Sequence, residues 1–544
     1  MSNPFSPTQI RFGGHGNDDK NGVWVRLWLG PEGSPSVISS VADLNSGSPD
    51  LWRSLGKLGV LVSHADRKKI IDKIPSFPGR YAFRVVNSLG WSLGYVTANT
   101  VFGAPGAIVE RQFGDLNLKK YRSSGTLAEW QQQVLPLCTG NSRLMFAILC
   151  AFAGPLLEIL SIGSFGFQLF GPSSIGKTIV LIVGGSAWGC RVGASAHQGF
   201  CEKWATTLEA VERLGRVHND GFGVIDDTRL VGNDRDIGKL IAPFIMRLHE
   251  GVAKNRAVAI DAGGDWRLVY LGSSNPPLAQ IFAAAGLEFD DAYRVRFPDI
   301  PGDAGCGLGV FEHIHGYANA AEFGKELHRR ATTYFGSASE CYLERLANDR
   351  CVRRDWLRSE LQHQIARYRH RFPAATGADG RIGDHFATIF AAGMLARHYG
   401  INGWSAEEIA WAVRRCERAH LEWASRNQRQ FDPIAAVRAY IWKNMAAFPT
   451  VPNQAVTDQD FLNTPGFIYT PQSGREYVIA PPVFEHQFAP IGLREVLGAL
   501  HGARLLVRTG DKFVSKVPIR SSTAKGRKFA YRIRASILSN ESRS

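Results

Sequence analysis

Three short segments carry side chains suited to holding a triphosphate and a divalent metal. Gly171-Pro172-Ser173-Ser174-Ile175-Gly176-Lys177-Thr178 fits G-x-x-x-x-G-K-[ST]. An apolar strand precedes it (Phe165 to Phe170) and an apolar helix follows (Thr178 to Trp188), so backbone N–H groups and a helix N-terminus face an anion. In that setting Lys177 neutralises the β- and γ-phosphates of ATP and the Thr178 hydroxyl ligates Mg2+. Gly221 to Asp227 reads as an apolar strand ending in two acids. Asp226 is the expected Mg2+ ligand, and Asp227 the carboxylate that polarises the attacking water. A third strand, Arg267 to Gly272, runs into Ser273-Ser274-Asn275-Pro276-Pro277, where Asn275 can touch the γ-phosphate or the water.

Other residues have the chemistry of a partner's phosphates. Asp291 to Pro301 alternates apolar and basic residues, placing Arg294 and Arg296 on one face of an expected strand. Such an arginine can reach the γ-phosphate held by a neighbouring subunit; two edge-strand arginines are the plainer reading. Asp236 to His249 reads as an amphipathic helix stopped near Gly251, with Pro243 a kink or break. Lys254 and Arg256 follow it, suited to gripping a nucleic-acid backbone or simply lying on a solvated loop. From Ile491 to Ser544 twelve Lys or Arg stand against three acids, a net +9. There a strand, a helix and two further strands, with Lys525, Arg527 and Lys528 on the last loop, resemble a winged helix that contacts DNA. A basic lid on the ATPase is the competing reading.

The elements needed to position these groups divide the 544 residues into four expected domains. Residues 1–125 are β-rich, with a hairpin expected between the runs Tyr81 to Val86 and Trp91 to Val96. Residues 126–316 alternate strands and helices, an α/β core of P-loop type. Residues 317–450 are helical and basic. Residues 451–544 form the winged-helix-like end after a linker, Phe448 to Pro465.

Composition excludes some classes. Hydrophobic residues are 44% and charged residues 21%, ordinary for a globular protein, and the net charge is +14. No run reaches roughly 18 uninterrupted apolar residues, so no membrane span is expected; Leu144 to Leu160 reads as a buried helix pair. The polar N-terminus carries no apolar signal core, which leaves a cytoplasmic location expected. Eight scattered cysteines without CxxC spacing read as reduced and structural.

The arrangement resembles a bacterial helicase-like ATPase family, long catalogued as a domain of unknown function and often encoded on mobile elements. Trp91, Gly176-Lys177-Thr178 and Ala187-Trp188-Gly189 carry the resemblance, with Trp204, Thr207, Glu209 and His218-Asn219-Asp220-Gly221 running into Asp226-Asp227. Gly251, Lys254, Arg256, Val295-Arg296, Ile300-Pro301, Phe311-Glu312 and His315-Gly316 continue it, over about residues 20 to 340. Asp227 stands where many relatives have Glu, and Gly272 to Pro276 where many have a Ser-Gly-Glu run. The resemblance implies an AAA+ core similar to minichromosome-maintenance-type hexameric helicases, with Arg296 the better trans arginine and Arg294 the second. It implies a homo-hexamer that uses ATP and Mg2+ and acts on single-stranded and forked duplex DNA in replication of a mobile element. The rival expectation is a slow ATPase, a nucleotide-switched DNA-binding or assembly protein that unwinds nothing.

Overall fold

The computed structural model describes residues 10–18, 22–31, 34–47, 49–73, 82–104, 109–111, 116–204, 207–226, 234–252, 265–373, 377–430, 433–451, 457–488, 493–508, 510, 512–520 and 527–538. The chain divides into two compact units, Met1–Leu278 with Asp291–Arg418, and Ala279–Asp290 with Ala419–Ser544.

At the centre of the first unit lies a five-stranded parallel sheet: β1 (Phe165–Phe170), β2 (Glu202–Lys203), β3 (Gly221–Asp226), β4 (Leu268–Ser274) and β5 (Asp299–Pro301), in the order β2-β3-β4-β1-β5. The three central strands are buried along almost their whole length, as a parallel sheet covered on both faces requires. Every residue of helix Ser142–Ala151 is buried. It packs on the sheet with helix Lys177–Ser186 (α1) and with Ala378–His398, in one core that runs from Tyr95 to Cys416. Arg143, 2% exposed within this core, donates to Pro301 O at 3.0 Å and Asp303 O at 3.2 Å, fixing the chain as it leaves β5.

The N-terminal part holds a second sheet in the order Ser36–Ser40, Val23–Trp28, Arg11–Asp18, Ala82–Val86, Val109–Arg111. It is less purely β than the sequence suggests, because helices Val41–Ser46, Asp50–Lys57 and His64–Lys73 interrupt it. The expected hairpin does not form. Ala82–Val86 lies parallel between Arg11–Asp18 and Val109–Arg111, whereas Gly90–Trp91 pairs with Tyr95–Val96 in a separate small sheet. Gly90 makes the break: its φ of +87° turns the chain out of the first sheet, and a Cβ there would meet the Asp220 carboxylate at 2.6 Å.

In the second unit a sheet ordered Thr450–Val451, Phe467–Tyr469, Glu476–Ile479, Arg527–Arg534, Leu506–Val507 packs with helices Pro433–Asn444, Pro481–Phe488 and Leu493–Gly502. Ser515–Arg520 pairs with Arg527–Arg534, so the last hairpin uses a strand outside those expected from the sequence. The expected linker also carries structure, the strand Thr450–Val451 and helix Asp458–Asn463. All eight cysteines are unpaired. Among the described residues no helix is long and apolar enough to cross a membrane.

Candidate nucleotide site

β1 ends at Phe170, and the loop Gly171–Gly176 turns the chain into α1. Gly171, Ser174 and Gly176 adopt φ of 150°, 66° and 101°. Ser174 pays about 1–2 kcal/mol for a left-handed backbone that the surrounding loop must hold in place. The N-cap of α1 is Gly176, without a side-chain cap, so the helix offers uncapped N–H groups at the loop.

Lys177 is 8% exposed, and its ammonium donates to Gly171 O at 2.8 Å, Pro172 O at 2.7 Å and Asn275 Oδ1 at 3.2 Å. Asn275 donates in turn from Nδ2 to Ser173 Oγ at 3.0 Å, and its carbonyl accepts from Gly171 N at 3.0 Å. The parallel register Ser274↔Phe170 sets this up, because it ends β4 and β1 at the same level. On the other side of β4, the register Ile225↔Gly272 brings Asp226 beside Ser273, which donates to Asp226 Oδ1 at 2.5 Å.

Lys177, Thr178, Asp226 and Asn275 thus line one cleft of about 950 Å³, at the upper end of what small-ligand pockets offer. Its far wall is the turn Gly307–Gly309, Phe311, and the face of helix Ala320–Ala331 carrying Gly324, Lys325 and His328. Val310 N donates to Ile175 O at 2.9 Å, and Gly309 permits the approach: its φ is +68°, and a Cβ would sit 2.4 Å from Ile175 O. Sequence reading missed this wall and Ser273. The glycines at 305, 307 and 309 and the small face of the 320 helix are the signals that could have found the wall.

The donor set suits a bound nucleoside triphosphate and magnesium: uncapped helix N–H groups, the Lys177 ammonium, the Thr178 hydroxyl and the Asp226 carboxylate around a single cleft. Among the described residues no cluster of three or more His, Cys, Asp or Glu could hold a metal by itself. Ligation by Thr178 and Asp226 would therefore be completed by phosphate and water oxygens, as Mg2+ prefers.

The two arginines lie elsewhere. Asp291–Arg296 is a short helix, which corrects the expected strand: Phe297 N donates to Tyr293 O, and Asp291 and Arg296 sit at the ends that the helix dipole favours. A six-residue run is too short for alternation alone to distinguish strand from helix. Neither arginine lines the cleft of its own chain. Arg294 donates to Asp291 at 3.0 Å and Asp379 at 2.6 Å, while Arg296 donates to Ala292 O at 2.7 Å and keeps a buried Nε with no partner among the described residues. Asp227, Lys254, Arg256 and Lys525, and the Arg527 side chain, fall outside the described residues. Arg527 and Lys528 belong to the strand Arg527–Arg534 and not to the loop before it. Lys528 lies 4.7 Å from the centroid of the Phe461 ring and donates to Thr457 O at 3.4 Å.

The His218-Asn219-Asp220 run serves the opposite end of the sheet. Asp220 accepts from Trp91 N and Arg267 Nε at 3.0 Å, Asn219 donates to Leu89 O at 2.7 Å, and Tyr95 donates to Asp220 O at 2.6 Å. Burial raises the Asp220 carboxyl above its ordinary range, with Arg267 opposing. These residues clamp the Trp91 hairpin to the start of β3.

Residues 8–262 match a family described as a domain of unknown function, DUF927. No curated protein matches the chain. A solved structure of SCCmec type IV Cch, described as an active helicase, is similar over 97% of this chain and 94% of that one, with a TM-score of 0.66 and 15% identity. At that identity the likeness establishes a common fold.

Proposed function

We propose that the chain is an ATP-dependent DNA helicase or translocase of the AAA+ type, working as a homo-hexamer in replication of a mobile genetic element. One observation carries the reading: Lys177, Thr178, Asp226 and Asn275 meet at one cleft because β4 lies between the phosphate-loop strand and the acid-bearing strand. Bound ATP with Mg2+ supplies the scissile phosphoanhydride and the charge that the cleft must balance. Lys177 exchanges its contacts with loop carbonyls for phosphate oxygens, Thr178 and Asp226 hold the metal, and Asn275 and Asp227 orient water. Arg296, with Arg294 second, completes the cleft of the neighbouring subunit. Lys254 and Arg256 grip one DNA strand, and the winged-helix-like end with Lys525, Arg527 and Lys528 binds duplex. The likeness in fold to Cch supports this reading.

The test is unwinding of a forked duplex by the purified protein with ATP and Mg2+, beside electron microscopy of the assembly. Strand separation by a ring supports the proposal. ATP hydrolysis without separation at any fork geometry would replace it with the nucleotide-switched DNA-binding protein.

A further inference from the structure

A second cleft of about 620 Å³ opens on the first unit beside the edge strand β2, and no step of the proposed reaction uses it. Its walls carry Lys119, Arg122, Lys203 and Arg213, all exposed. None of these four side chains makes an ion pair or hydrogen bond among the described residues. The floor explains why the charge is not cancelled from within. Glu202 is the acid in the wall, and it is already taken by Lys120 at 2.5 Å and Arg191 at 2.7 Å. The cleft therefore presents four uncommitted cations over a base whose one lining acid is already paired.

We infer that this cleft binds the phosphodiester backbone of a single nucleic-acid strand, which deepens the proposed DNA-acting function and rests on it. The four cations come from three stretches of chain, Lys119 with Arg122, Lys203, and Arg213, and are spread over the lining, which suits successive phosphates of a strand. A lone phosphate group would be better held by converging backbone N–H groups at a glycine turn, as at Gly171–Gly176. Val192, 57% exposed, adds an apolar surface to the rim against which a sugar or base can rest. The position also connects to the nucleotide site. Lys203 is the register partner of Asp226 in the β2–β3 pair, so a strand held here lies one β-strand from the metal-binding acid.

The experiment is fluorescence anisotropy of a labelled oligothymidylate across a salt series, using the full chain, Arg122→Ala/Arg213→Ala and Lys119→Ala/Lys203→Ala. Calorimetric titration with pyrophosphate runs in parallel. Each double variant is expected to bind about tenfold more weakly at low salt and to flatten the salt slope by about 1.4 units, since each single-strand phosphate contact contributes about 0.7. Arg122→Lys/Arg213→Lys should keep the parent slope, which separates lost charge from lost fold. Unchanged affinity and slope in both Ala variants would overturn the site while leaving DNA binding elsewhere intact. Loss in the Ala variants of a second pyrophosphate site, beyond the one expected at Gly171–Gly176, with undisturbed oligonucleotide binding would overturn the backbone assignment in favour of a small anion. A parent chain that binds no oligonucleotide at any salt overturns this site and the DNA-acting function together.

Discussion

The ammonium of Lys177 and the side-chain oxygen of Asn275 are 3.2 Å apart, so the phosphate loop is closed onto the end of the neighbouring strand by the residues that hold the phosphates and orient the water in the proposed reaction. The same asparagine holds Ser173 through its Nδ2. Loop and strand end are therefore one hydrogen-bonded unit, and a change at either residue must be felt by the other.

Lys177→Ala is expected to abolish ATP hydrolysis with the fold retained, because the phosphate charge loses its main partner. Asn275→Ala should keep ATP binding and slow turnover by about tenfold to hundredfold, the usual loss for one preorganised polar contact. Steady-state hydrolysis with a fluorescent-nucleotide binding curve separates the two. Near-parent hydrolysis by Lys177→Ala would remove the nucleotide site from this cleft.

Ser273 holds Asp226 from the adjacent strand. Ser273→Ala leaves that carboxylate free to rotate, and the expected signature is a higher Mg2+ concentration for half-maximal hydrolysis, with the maximal rate less affected. Ser273→Thr keeps the donor and should restore the parent titration. A Mg2+ dependence identical in parent and Ala variant would make the contact purely structural.

Arg296→Ala is expected to be inactive alone and to recover activity when mixed with Lys177→Ala, because one mixed interface then holds both intact halves. Arg294 is committed to Asp379 within its own chain, so Arg294→Ala should show weaker complementation. Hydrolysis measured across mixing ratios decides the matter. Strictly additive rates at every ratio would assign Arg296 a role inside its own subunit.

The site was legible where chemistry is local. Gly171 to Thr178 and the Asp226 strand end can be read because one short run contains both the donors and the strand that aims them. The far wall was not legible, since Gly309 and Lys325 lie more than a hundred residues from the loop and only folding apposes them. The six residues Asp291 to Arg296 fit either period, so the strand expected for Arg294 and Arg296 and the observed helix, with its acid at the start and its bases at the end, are not separable by pattern alone. The part played by His218 to Asp220 could not be read either. Their spacing looks functional, yet their partners, Leu89, Trp91, Tyr95 and Lys120, come from a distant part of the chain.

His218 gives the chain a defined acid sensitivity. It is 1% exposed, with Nε2 2.8 Å from Lys120 Nζ and Nδ1 2.9 Å from the Tyr121 hydroxyl. The ammonium donates at Nε2, so the neutral ring carries its proton on Nδ1 and passes a hydrogen bond to Tyr121, which donates to Val217 O. Burial first, and then the Lys120 charge, hold the folded imidazole well below its ordinary value of 6.5. Burial likewise lowers Lys120 to about 8, with Glu202 opposing. Below pH 6.5 the unfolded chain takes up a proton at His218 that the folded chain refuses. Stability is therefore lost as pH falls, by up to about 1.4 kcal/mol per pH unit from this residue. His218→Gln removes the titrating group. The variant should be about 1–3 kcal/mol less stable at pH 7.5, where the hydrogen-bond network is disturbed. Its further loss between pH 7.5 and pH 5.5 should be smaller than the parent's by roughly 1 kcal/mol. Urea denaturation at the two pH values measures both quantities. An equal acid-induced loss in parent and variant would show that the folded chain protonates His218 as readily as the unfolded one.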